Sequence, residues 1–207
     1  MAAALSRFNS GHHKPTMEAL IIIDGQNEFS SNGKRAVPNF DQATQAISER
    51  VAEARRQNRP VAWVRHFNKP DESSAFVPGT WGSQFYDGFG PQEGRSLENE
   101  FHKDVYGAFT GSKIGAWLEK LGVDEVLITG FYTHGCVSTT AREAIMKGLG
   151  VSLDPNATGA CDMAHEQLGS LSAEEVRRSA LLQLASMGAR ITPMKRDKTA
   201  ARTEAVS

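Results

Sequence analysis

Apolar residues fall in two patterns along this chain, short unbroken runs and runs spaced three or four apart, and the two alternate. Ala19–Ile23 (ALIII), Val61–Val64 (VAWV), Glu125–Thr129 (EVLIT) and Val151–Leu153 are nearly continuous, which suits strands buried on both faces of a sheet. Between the first two, Phe40, Ala43, Ile47, Val51 and Ala54 recur at helical spacing. A second helix is predicted from a Ser112 cap through Ile114, Trp117, Leu118 and Leu121 to a stop at Gly122. Thr139–Lys147 is helical in composition and ends at Gly148. Ser172-Ala173-Glu174-Glu175 reads as a capping box, with Val176, Ala180, Leu184 and Met187 facing inward and Gly188 closing the helix. Ala189–Thr192 gives a last strand before Pro193. Strands alternating with helices predict an α/β fold, a mostly parallel, doubly wound sheet with right-handed crossovers.

The places where this pattern breaks are the informative ones. In an open parallel sheet, ligands sit beyond the carboxyl ends of the strands. Asp24 follows the first apolar run, Arg65-His66 follow the second, and Cys136 stands between the third run and a helix. Residues 66–100 form a long segment with several Gly and Pro and many aromatics, among them Trp81, Phe85 and Tyr86. Such a segment serves as a lid or pocket wall, or its rings simply pack it down.

Composition narrows the classes. The chain has 207 residues, with 40% hydrophobic and 23% charged, ordinary for one globular domain. We expect a flexible arm at 1–16, a folded domain at 17–194 and a polar tail at 195–207. A net charge of −1 gives no reason to expect nucleic acid or an anionic membrane as partner. No apolar run is long enough to span a bilayer, and the first residues lack the apolar core of a secretory signal. Two cysteines, Cys136 and Cys161, do not make a disulfide framework, so a reduced, cytoplasmic setting is expected.

Cys136 is the natural candidate for chemistry. At a helix start, unpaired N–H groups and the helix dipole favour a thiolate and could also hold an oxyanion. A nucleophilic cysteine needs a base, and Asp24 would share its rim of the sheet. A lysine nearby, such as Lys103, would keep either group ionised. The blander readings are a buried structural cysteine, a turn-capping aspartate and a solvated lysine.

Three motifs, taken in order, resemble those of the isochorismatase-like cysteine hydrolases. Asp24-Gly25-Gln26-Asn27-Glu28-Phe29 is similar to the family's D-x-Q-x-x-F. Lys103 with Ala108-Phe109 resembles K-x-x-x-x-A-F. Gly130–Val137 with Thr140 resembles G-x-x-T-x-x-C-V-x-x-T. The resemblance runs over roughly 18–193. It implies a three-layer α/β/α sandwich and a catalytic triad of Asp24 as proton acceptor, Lys103 as charge partner and Cys136 as nucleophile. It also implies a cis peptide at Phe131–Tyr132 and an oxyanion hole made by the backbone N–H groups of Tyr132 and Cys136. The implied activity is hydrolysis of a C–N bond, other than a peptide bond, in a small amide or carbamoyl compound through an acyl-enzyme. Phe29, His66, Trp81 and His134 are candidates to contact substrate, and a homodimer or homotetramer is expected.

Two departures from the family pattern matter. Nicotinamidases of this superfamily bind a metal through an Asp-x-His pair, and here that place reads Val64-Arg65-His66. His66 and His134 alone make a poor zinc site, so no metal and no cofactor are expected. Asn156 stands where relatives carry Asp before Ala157-Thr158. An isochorismate-type ether hydrolase, or a non-catalytic binding scaffold of the same fold, are the alternative readings. The presence of Cys136 favours C–N hydrolysis over ether cleavage, and the presence of all three triad residues speaks against a scaffold.

Overall fold

A computed structural model describes residues 16–193. Except for Thr16, the expected arm and tail lie outside the described residues. The strands are β1 (Glu18–Ile23), β2 (Val61–His66), β3 (Glu98–Lys103), β4 (Glu125–Phe131), β5 (Gly150–Gly159), β6 (Met163–His165), β7 (Gly169–Leu171) and β8 (Arg190–Ile191). The helices are α1 (Phe40–Arg56), α2 (Ala108–Gly111), α3 (Ile114–Lys120), α4 (Ser138–Met146) and α5 (Ala173–Ser186). Six strands form one parallel sheet in the order β3-β2-β1-β4-β5-β8. β6 and β7 form a separate antiparallel pair.

The unbroken apolar runs arise because alternate residues feed opposite faces. From β1, Ala19, Ile21 and Ile23 join Ile114, Leu118, Ala141 and Leu184 beneath α3, α4 and α5. Leu20 and Ile22 join Trp63, Phe40, Ile47 and Val51 on the α1 side. The result is the expected three-layer sandwich. Ile21, Ile22 and Ile23 are each 0% exposed, and burying such a side chain contributes about 1.5–3 kcal/mol.

Winding runs outward from β1 through β2 to β3, then returns to place β4 on the other side of β1. The order reverses between β1 and β4, and the crevice at that reversal opens at the carboxyl ends of the strands. Asp24 follows β1 and Cys136 follows β4, so both sit at the crevice.

Four local features differ from expectation. β3 was not predicted, because ENEFHK carries one apolar residue; it is one of the sheet's two edge strands, where a polar sequence is the norm. The helix predicted after Ser112 is present as α3, with Ser112 Oγ accepting from Ile114 N at 3.2 Å, but a further short helix, α2, precedes it and was not predicted. β5 runs well past Leu153, because its pairing with β4 jumps from Ile128↔Leu153 to Gly130↔Thr158. Pro155 falls inside that irregular stretch, where no ladder donor is required. β6 and β7 lie wholly exposed and carry no apolar alternation that would announce them. The Ser172–Glu175 capping box, by contrast, is present with both of its hydrogen bonds.

Candidate active site

Each arm of the site is shaped by its own stretch of backbone. Asp24 takes a left-handed conformation (φ 53°), which aspartate tolerates better than most residues. Its N–H is held by Val64 O at 2.8 Å, and its own carbonyl accepts from Gln26 N at 2.7 Å. Gln26, 0% exposed, donates to His66 O (3.0 Å) and Ser83 O (2.9 Å) and accepts from His66 N (2.8 Å). One side chain thus ties the end of β1 to the end of β2 and to the long segment. Glu28, also buried, accepts from Lys34 N (3.0 Å) and Phe76 N (3.3 Å), fastening two more loops.

Gly130 (φ 109°) lets β4 close on β1, since a Cβ there would lie 1.9 Å from Ile23 O. Past it the Phe131–Tyr132 peptide is cis, as the resemblance implied. Thr133–Val137 then forms a wide turn that leads into α4 and carries Cys136. Thr133 and Thr158 hydroxyls meet at 2.8 Å, and Thr158 Oγ1 donates to Gly130 O at 2.7 Å, pinning this turn to β5. The Ala108-Phe109 element docks onto α4, with Ala108 N donating to Thr140 Oγ1 (3.1 Å) and Phe109 N to Glu143 Oε2 (2.9 Å).

Lys103, the last residue of β3, reaches across the end of β2 to join these parts. Its Nζ donates to Asp24 Oδ2 at 2.9 Å and to Cys136 Sγ at 3.2 Å, and lies 3.2 Å from His66 Nδ1. Asp24 is 1%, Lys103 2% and Cys136 9% exposed. Among the described residues Asp24 Oδ1 has no hydrogen-bond partner, a buried acceptor left open within reach of the Cys136 thiol.

Burial works against the Lys103 charge, but the Asp24 carboxylate beside it outweighs burial and holds the ammonium above the usual lysine range. Cys136 departs from expectation. Burial first, then the charge of Asp24, pushes the thiol well up, and Lys103 opposes this only in part. The site therefore rests as a neutral thiol beside a lysine–carboxylate ion pair, not as a thiolate stabilised by the helix start.

The other predicted residues are spread more widely. Phe29 is 2% exposed, its ring packed against Phe76, Phe131 and Tyr132 at 4.9–5.2 Å, so it backs the site from within the core. Tyr132 donates its hydroxyl to Arg35 O at 2.8 Å, and burial pushes its phenol up. His134 stacks on Tyr132 (5.1 Å, 20°); burial lowers its imidazole, and its Nδ1 has no partner among the described residues. Trp81 is half exposed, linked to the Asp24 loop through Asn27 Nδ2 and Trp81 O at 3.0 Å. Sequence reading gave no role to Gln26, Glu28, Asn68 or Tyr106. Tyr106 is 68% exposed, and a Cβ on Gly135 would touch its ring at 3.7 Å. Gln26 was marked as the Q of the D-x-Q-x-x-F resemblance, and Glu28 only as a polar side chain beyond a wholly apolar strand.

The residues present do not fit a metal. Val64 offers no ligand, and both ring nitrogens of His66 are engaged, Nδ1 with Lys103 Nζ and Nε2 with Asn68 Oδ1 at 2.7 Å. Among the described residues no group of three or more His, Cys, Asp or Glu is arranged to hold one. Asn156, the other departure, turns its N–H and Nδ2 to Asp154 Oδ1 (2.9 and 3.2 Å), a local bond on β5.

With this geometry in view, the comparisons with known proteins are direct. The isochorismatase domain family matches residues 18–194. A secreted isochorismatase effector of Verticillium dahliae is 31% identical over 144 residues, 70% of this chain and 73% of its own. The nicotinamidase/pyrazinamidase of Mycobacterium tuberculosis is 35% identical over 154 residues, 64% of this chain and 81% of its own. An isochorismatase crystal structure from Pseudomonas putida superimposes with a TM-score of 0.78 at 31% identity, covering 85% of this chain and 87% of that one. The chain belongs to the isochorismatase family.

Proposed function

We propose that this protein is a cysteine amidohydrolase that cleaves a C–N bond, outside peptides, in a small amide or carbamoyl compound. The observation that carries the proposal is the buried contact of Lys103 Nζ with both Asp24 Oδ2 (2.9 Å) and Cys136 Sγ (3.2 Å). Hydrolases acting on such bonds are found among the relatives, the nicotinamidase/pyrazinamidase being one.

In this mechanism Cys136 Sγ attacks the carbonyl carbon while its proton passes to Asp24, whose Oδ1 is open. Because the resting thiol is neutral, the proton leaves as the C–S bond forms. The developing oxyanion is received by the N–H groups of Tyr132 and Cys136. Collapse breaks the C–N bond, and Asp24 returns the proton to the departing nitrogen. Water, deprotonated by Asp24, then attacks the thioester and frees the acid and the thiol. Lys103 stays charged throughout and keeps its contact with Asp24 Oδ2 between steps. No step runs through a metal.

A panel of small amides and carbamoyl compounds, with isochorismate included, tests this. Mass spectrometry of quenched turnover is expected to find an acyl adduct on Cys136, and Cys136→Ala to abolish hydrolysis. Full activity in Cys136→Ala, or turnover of isochorismate alone, would sink it. Among the described residues no helix is long and apolar enough to cross a membrane. A cytoplasmic setting and a homodimer or homotetramer belong to the same proposal, checked by fractionation and light scattering.

A further inference from the structure

Lys103 carries three ammonium protons, and the contacts above account for all of them: Asp24 Oδ2, Cys136 Sγ and His66 Nδ1. The third contact decides what His66 does. An ammonium only donates, so Nδ1 of His66 must present a lone pair and the ring proton must sit on Nε2. The far end of the chain of bonds requires the same answer. Asn68 Nδ2 donates to Ala75 O at 2.8 Å, a carbonyl that only accepts, which turns Asn68 Oδ1 toward His66. Oδ1 only accepts, so Nε2, 2.7 Å away, is the donor. A single directed line of hydrogen bonds therefore runs from Lys103 through His66 and Asn68 to Ala75, and both fixed ends select the same tautomer. The ring is further held edge-on against Phe76 (5.2 Å, 88°), and Gln26 grips the His66 backbone on both sides.

We infer that His66 is a positioning residue of this site: its unprotonated Nδ1 is the third acceptor of the Lys103 ammonium, and Asn68 fixes it in that role. The inference rests on the proposed cysteine hydrolase and replaces the expectation that His66 contacts substrate. With all three protons taken, a cation whose side chain is fully buried has one stable direction, and Nζ stays within reach of both carboxylate and sulfur. Remove the third acceptor and one N–H points into a dry wall. The ammonium then shifts, or loses its proton more readily, and the thiol loses its charge partner. The ionisable groups facing this ammonium are Asp24 beyond β1, His66 on β2 and Cys136 beyond β4.

Two variants of matched shape isolate the acceptor. In His66→Asn the side-chain oxygen overlays Nδ1 and can accept; in His66→Leu the shape remains and the acceptor is gone. The readout is the rate of Cys136 alkylation by iodoacetamide against pH, followed at the Cys136 peptide so that Cys161 does not contribute. It needs no substrate. His66→Leu is expected to be alkylated about tenfold more slowly near neutral pH with its profile displaced, and His66→Asn to stay within about threefold of the unaltered protein. Equal slowing in both variants, or in neither, would overturn the inference. Should His66→Leu fail to fold, long-range proton–nitrogen NMR of the unaltered protein decides. Nε2 protonated and Nδ1 bare at neutral pH supports the inference; the opposite tautomer, or imidazolium, overturns it. Failure of the hydrolase reading is separate, since that appears as no acyl adduct on Cys136 whatever the tautomer.

Discussion

Lys103→Met is the sharpest single perturbation of this fold. Methionine keeps the unbranched stem and its volume while deleting the charge. Asp24 then remains 1% exposed with no cation beside it. Removing one partner of a buried ion pair costs about 3–5 kcal/mol, because the remaining charge is stranded. At roughly 2–4 °C per kcal/mol for a domain of this size, the melting temperature should fall by roughly 6–20 °C. The same reasoning predicts that Asp24→Asn/Lys103→Met, which carries no charge at the site, regains at least half of that loss while staying inactive. Asp24→Asn alone should be milder than Lys103→Met, since the ammonium keeps acceptors in Cys136 and His66. Urea unfolding of the four proteins near neutral pH gives the cycle directly. If Lys103→Met lies within about 1 kcal/mol of the parent, or the double variant loses the sum of the singles, the buried pair is not organised as described.

Two further outcomes follow from the same geometry. Because the Lys103 ammonium is held above its unfolded value near 10.5, its contribution to stability is intact below about pH 10.5 and fades as pH rises through the folded value; chemical unfolding across the alkaline range should show this decline in the parent and not in Lys103→Met. Gly130→Ala places a Cβ 1.9 Å from Ile23 O at φ 109° and should cost more than about 2 kcal/mol, whereas Gly148→Ala, at φ 81° with nothing within 4 Å, should cost about 1–2 kcal/mol by thermal melts.

Much of the layout was legible because burial on two faces writes itself as unbroken apolar runs. β1, β2, β4, α1 and α5 lie close to where their patterns put them. Edge elements write no such signal: β3 has one buried apolar residue, Phe101, and the exposed β6–β7 pair has none. Asp24 and Cys136 were legible as residues at strand ends, and Lys103 and the cis peptide at Phe131–Tyr132 through the resemblance. The state of the thiol was not. Its ionisation depends on how completely the site is dried and on the nearness of Asp24, which no spacing encodes. Nor could the sequence say that the two nitrogens of His66 are spoken for, since Lys103 and Asn68 approach them from opposite sides of the ring and from different parts of the chain.

The buried lysine also explains why three strands must end where they do. An ion pair taken out of water contributes little net stability, and often less than a well-packed apolar pair of the same volume. Stability is therefore a weak reason to place Lys103 at the end of β3, two strands away from Asp24. What the arrangement does is couple positions: Nζ can meet Asp24, Cys136 and His66 together only if β1, β2, β3 and the turn after β4 hold their register at the crevice. Gln26 and Gly130 guard two of those junctions, one by hydrogen bonds across β1 and β2, the other by close approach of β4 to β1. A displacement of any one strand end would leave an ammonium proton without an acceptor in a dry site, at a cost of about 1–3 kcal/mol or more. The cation thereby converts the precision of the sheet into the position of the Cys136 thiol, and under the proposed mechanism burial and Asp24, which oppose the thiolate, confine proton transfer to the moment when a carbonyl is in place.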